Sequence, residues 1–94
     1  MMDVNITNYG TLEKNRNFIV YTVSNLDDRS LKYLSENLED EHTVEDGKLV
    51  ITMYFTDKYY PFISDLAHYR FDDFKAREEI EMLVYLSGFL EDIL

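Results

Sequence analysis

The chain has 94 residues, of which 46% are hydrophobic and 15% aromatic, and a formal net charge of −10 from 19 acids against 9 bases. That length makes one domain, that apolar content excludes disorder, and that charge disfavours direct contact with nucleic acid or anionic lipid, where Lys and Arg must neutralise phosphate. The absence of cysteine excludes disulfides, thiolate zinc sites and thiol nucleophiles.

The opening MMDVNITNYG lacks the basic and apolar regions of a signal peptide, and the longest apolar run, Met82 to Leu90, falls well short of the ~20 residues that span a bilayer. The expectation is a soluble, cytoplasmic protein that does not engage a membrane. Residues 2–8 alternate weakly through Val4 and Ile6 and predict an edge strand whose pairing is left open. Tyr9-Gly10 reads as a turn and Leu12 to Asn17 as a polar connection. Phe18 to Ser24, FIVYTVS, predicts a strand with apolar residues on both faces, covered at least in part from both sides.

Asn25 and Asp28 have the spacing of a capping box for a helix that reaches about Glu39, with Leu31, Leu34 and Leu38 as its buried stripe. Asp46-Gly47 between alternating segments predicts a type I′ hairpin, because both central residues of that turn need positive φ. In the returning strand Leu49, Ile51, Met53 and Phe55 are expected to face the core. Val50, Thr52, Tyr54 and Thr56 then face solvent or a partner.

Thr56 or Asp57 caps a second expected helix, with Pro61 in its first turn and Tyr59, Phe62, Ile63 and Leu66 directed inward. A break at Arg70-Phe71-Asp72, with Asp72 as the new cap, precedes a third helix. The order (β)β-α-ββ-α-α predicts a single α+β domain over residues 1–94: a small, mostly antiparallel sheet of three or four strands with three helices packed on one face.

The last helix carries more apolar surface than one sheet face requires. One stripe is Ile80, Leu83, Leu90 and Leu94. The other is Met82, Leu86, Phe89 and Ile93, at the 4-3-4 spacing of a helix that packs on a helix. Both stripes are buried within the domain, or the second is a self-association seam that forms a homodimer or a face for another protein. Gly88 would then let a neighbouring backbone approach.

Function-bearing candidates are few. Glu36, Glu39, Asp40, Glu41, Glu45 and Asp46 stand within twelve residues that contain no Lys or Arg. Such a row either keeps the protein soluble or meets a basic partner, as a strand of phosphates would. Among the eight tyrosines, Tyr54 and Tyr60 are the candidate aromatic anchors, since interfaces favour a ring that buries area and a hydroxyl that finds a partner.

Asp65, His68 and Asp72 form the one metal-like spacing, but Asp72 is better explained as a cap, and His42 beside Glu41 and Glu45 is weaker still. No metal and no cofactor are therefore expected. Ser64 lies one turn before His68 without a nucleophile elbow, and three glycines build no phosphate-cradling loop. The expectation is a non-enzymatic protein that binds and modulates a basic, nucleic-acid-handling protein through its acids. The alternative is a homodimeric adaptor assembled through the C-terminal helix. In kind, a small acidic tyrosine-rich chain resembles the short inhibitory proteins of phages, such as anti-restriction and anti-CRISPR proteins.

Overall fold

The computed structural model describes residues 2–13, 16–55 and 68–93. Four strands form one antiparallel sheet in the order β1-β2-β4-β3, with β1 at Asp3–Glu13, β2 at Arg16–Ser24, β3 at Glu41–Glu45 and β4 at Lys48–Phe55. Helix α1 (Asp28–Asn37) joins β2 to β3, and α2 (His68–Leu90) ends in a 3₁₀ turn at Glu91–Ile93. The chain is thus an α+β domain with two α-helices among the described residues, rather than three.

The first correction lies at the N-terminus. In place of a short strand, a turn at Tyr9-Gly10 and a polar connection, β1 runs on to Glu13 and pairs with β2 along its length. The glycine has a packing role. A Cβ at Gly10 would lie 3.0 Å from the ring of Phe18, its cross-strand partner, so the missing side chain makes room for the ring. Register shifts between Ile6 and Asn8 and between Thr11 and Glu13 bend the strand and hide its alternation from a sequence-based reading.

β2 is central, and its burial alternates from Asn17 to Ser24: Asn17, Ile19, Tyr21 and Val23 are buried, and the residues between them are half-buried. One face of the sheet is therefore core and the other is only partly covered. The Asp46-Gly47 hairpin forms as expected, with φ of 52° and 74° at its two central residues. Leu49 and Ile51 are fully buried and Met53 packs against the core, whereas Tyr54 points out.

The helix cap differs from the predicted box. Asn25 takes a left-handed conformation (φ 59°), turning the chain off β2, and its amide donates to Asp3. Asp27 is the N-cap, accepting from the Ser30 N–H at 2.7 Å, a bond that holds its carboxyl below the ordinary carboxylate value. The helix stops at Asn37, so Glu39 and Asp40 lie beyond it and do not extend a helical arc of acids.

α2 is continuous through Arg70-Phe71-Asp72, where a break was expected; the helix begins at His68, so Asp72 is not its N-cap. Residues 56–67, with the expected Pro61 helix and with Tyr59, Tyr60, Phe62, Ile63, Asp65 and Leu66, lie outside the described residues, as does Leu94. The stripe expected for self-association is directed inward. Met82 (5% exposed) and Leu86 (0%) belong to the domain's own core with Phe74, Ile6 and Leu34, and Phe89 packs against that core. The reason is simple: α2 lies over β1 and against α1, and this stripe is the one that meets them. Among the described residues of α2, Ile80 and Val84 are the most outward apolar ones, 60% and 66% exposed. Among the described residues a Cβ at Gly88 would meet nothing within 4 Å, so no neighbour within them requires that glycine.

Candidate functional site

The register of the β3–β4 hairpin sorts the acidic run into separate groups. Glu41, Thr43 and Glu45 lie opposite Thr52, Val50 and Lys48, which places them on the outer sheet face with Tyr54. His42 and Val44 lie opposite Ile51 and Leu49 and take the core side. Six acids adjacent in sequence therefore do not form one row.

Glu41 is fixed. The Tyr54 hydroxyl donates to its Oε2 at 2.9 Å, and the Arg16 guanidinium sits 4.6 Å from the centre of the same tyrosine ring. The bond to Glu41 is the main reason that the Tyr54 phenol is raised above its ordinary pKa, with Arg16 opposing it. An exposed tyrosine is thus held between a cation on its face and a carboxylate at its tip. Glu45 accepts from the Thr43 hydroxyl at 3.2 Å, and Asp46 is exposed at the turn. Thr7 and Thr22 share a hydroxyl bond of 2.9 Å farther across this face.

Asp40 turns the other way. It accepts from Tyr85 of α2 at 2.9 Å, which ties the start of β3 to the helix layer. Burial is the main cause that raises the Tyr85 phenol, and Asp40 and Glu39 add to it. Tyr85 also packs edge-on against Phe89, with ring centroids 5.2 Å apart. Glu36 is exposed on α1, and Glu39 is exposed in the connection to β3. Of the predicted patch, Glu41, Glu45 and Asp46 share the outer face and its turn with Tyr54, whereas Glu36, Glu39 and Asp40 do not join them. The other predicted aromatic anchor, Tyr60, lies outside the described residues.

Sequence reasoning missed three residues. Arg16 reaches Tyr54 because the β1–β2 hairpin places it there, and that hairpin was read as a polar connection. His42 was weighed as an acid-flanked histidine, yet its Nδ1 lies 2.7 Å from the Asp40 carbonyl and its Nε2 2.9 Å from the Ser35 carbonyl. Two carbonyls need two N–H donors, so these contacts favour imidazolium and raise the His42 pKa, the Asp40 carbonyl first. Ser35 lies in the last turn of α1, which has no basic residue, so His42 supplies a positive charge at that helix end. Its position opposite Ile51 could have been read from the Asp46-Gly47 turn by counting back in twos.

The third is Glu79. Its Oε2 accepts from the backbone N–H of Ile6 at 2.7 Å and from Lys75 at 2.7 Å, so α2 reaches down onto the outer edge of β1. No signal in the sequence announces such a contact across 73 positions.

No three metal-ligating side chains converge among the described residues. Of the Asp65, His68 and Asp72 set, Asp65 lies outside those residues. Among the described residues, no helix is long and apolar enough to cross a membrane.

With this geometry in view, the chain belongs to the family of unknown function DUF5750, whose profile matches residues 3–92. A comparison with curated proteins finds no significant match.

Proposed function

We propose that this chain is a small non-enzymatic binding protein that docks on a basic, nucleic-acid-handling protein and modulates or inhibits it. The observation that carries the reading is the Tyr54–Glu41 pair on the outer sheet face, with Glu45 on the same face and Asp46 at the adjoining turn. An anchored ring beside oriented carboxylates supplies apolar area and charge together, and a net charge of −10 steers a basic surface toward it. Imitation of a nucleic-acid strand is confined in this reading to Glu41, Glu45 and Asp46. The resemblance in kind to phage anti-defence inhibitors, and a cytoplasmic location, belong to the same proposal.

The test is capture of a partner by the wild type and by a Glu41→Gln/Glu45→Gln/Asp46→Asn variant, which removes the charge and keeps a residue suited to the positive φ at the turn. A basic protein held by the wild type at low salt, shed at high salt and not held by the variant supports the reading. Equal retention by both removes the acidic face from the account.

A second reading has its own observation. Ile80 and Val84 are the most exposed large hydrophobic residues among the described ones of α2, and they mark where a second copy would pack if the chain were a homodimeric adaptor. Val84→Glu would then convert a dimer to a monomer in sedimentation without loss of fold. A wild type that is already monomeric ends this alternative.

A further inference from the structure

The two outer strands of the sheet are treated differently. At β1 the outward N–H of Ile6 is taken by Glu79, itself paired with Lys75, so a helix side chain occupies that edge. At β3 no further strand pairs among the described residues. The hairpin decides which main-chain groups are left there. A two-residue turn makes Glu45 and Lys48 a hydrogen-bonded pair, and the antiparallel pattern then alternates. Glu45, Thr43 and Glu41 direct their N–H and C=O groups toward β4. Val44 and His42 direct theirs outward.

We propose that β3 accepts an extended segment of a basic partner as a fifth strand, with Lys or Arg opposite both Glu41 and Glu45. This rests on the binding function proposed above and specifies its mode. The outward groups of His42 and Val44 supply the ladder, and Glu41 and Glu45 on the outer face supply the specificity. Side chains on one face recur every second residue, so the two cations are four residues apart in the segment, with the residue between them facing Thr43. Val44, 47% exposed, offers apolar contact on the opposite face of the added strand.

Charge selects this occupant over a second copy. Antiparallel pairing of β3 with itself about Thr43 places Glu41 against Glu45 of the other chain twice, and like charges directly opposed are destabilising. The acids therefore keep this edge from pairing with itself while leaving it open to a cationic strand.

The test uses synthetic peptides of roughly seven residues, built on alternating Thr and Val. One carries two lysines four positions apart. A second carries them three apart, which sends one lysine to the other face. A third keeps the first pattern but has N-methyl groups where it would pair with His42 and Val44. The expected result is slowed exchange and shifted resonances at the amides of His42 and Val44 with the first peptide. Affinity should drop about threefold to fivefold for the second peptide. It should drop at least about tenfold for the third. Equal binding of all three with unprotected amides overturns strand addition while leaving a charge-driven partner surface intact. No binding of any peptide at low salt also overturns it, and the capture experiment then judges the broader reading by itself.

Discussion

The two edges of this sheet make opposite use of the same residue type. At β1 one glutamate, Glu79, faces inward from a helix and closes a backbone donor; at β3 two glutamates face outward, and no strand of the described residues pairs with the outer edge. A carboxylate that accepts from a main-chain N–H and a lysine together is a structural part. Carboxylates such as Glu41, held by a phenol and otherwise exposed, keep their charge at the surface. Acid content alone therefore says little about function in this chain. What matters is whether the charge is satisfied inside the molecule.

The contrast is broken most strongly from below. Leu86, 0% exposed, fixes α2 on the sheet and so holds Glu79 over β1. Leu86→Ala should destabilise by about 2–5 kcal/mol in urea unfolding, through lost burial and the cavity left behind. Removing the guard itself is the next largest effect. Glu79→Ala leaves the Ile6 N–H without its acceptor, a loss of about 1–3 kcal/mol that amide exchange at Ile6 would register directly. Glu79→Gln, which keeps an oxygen there, should recover part of it.

His42 sharpens the comparison on the β3 side. Its folded pKa is raised above the ordinary histidine value of 6.5, so its contribution is full below 6.5 and is lost as pH rises through the raised value. His42→Gln should be less stable than the wild type by about 1 kcal/mol in mildly acidic buffer, and the gap should narrow as pH increases. A gap that does not change with pH contradicts the two-carbonyl account of this imidazole.

Much of this was legible in the sequence. The β3–β4 hairpin, its core-facing Leu49 and Ile51 and its outward Tyr54 follow from one Asp-Gly pair and strict alternation. β1 was only half legible, because two register shifts change its period and Gly10 mimics a turn when its role is to admit the Phe18 ring. The acidic patch was read as continuous because sequence proximity is all that a charge run displays. Strand pleat and a short α1 then scattered it, sending Asp40 to Tyr85 and Glu41 to Tyr54. The helix stripe of Met82 and Leu86 was legible as apolar spacing, but spacing does not reveal which surface such a stripe meets, and here it meets β1 and α1.

Smaller effects complete the series. Glu78 is 6% exposed on the core side of α2, and burial raises its carboxyl above the ordinary value, with Glu81 adding and Arg77 opposing. A raised acid favours the fold below its unfolded pKa of 4.5 and loses that contribution as pH rises through the folded value. Glu78→Gln should accordingly stabilise by up to about 1 kcal/mol near neutral pH and not at pH 4, a difference that thermal melts at the two pH values would resolve. Least of all should change in a Glu41→Gln/Glu45→Gln/Asp46→Asn variant, which keeps an acceptor for Tyr54 and a residue suited to the positive φ of the turn, and whose stability is expected within about 0.5 kcal/mol of wild type because exposed positions carry little of the fold.

That insensitivity makes the variant the most direct probe of the central claim, that the outward acids of β3 and its turn are the working surface. Wild type and variant would be immobilised side by side and challenged with a cell lysate at about 50 and about 300 mM salt, with retained proteins quantified. The account predicts a basic protein held by the wild type at the lower salt, released at the higher, and absent from the variant at both. The same protein held equally by the charge-neutralised variant would contradict it.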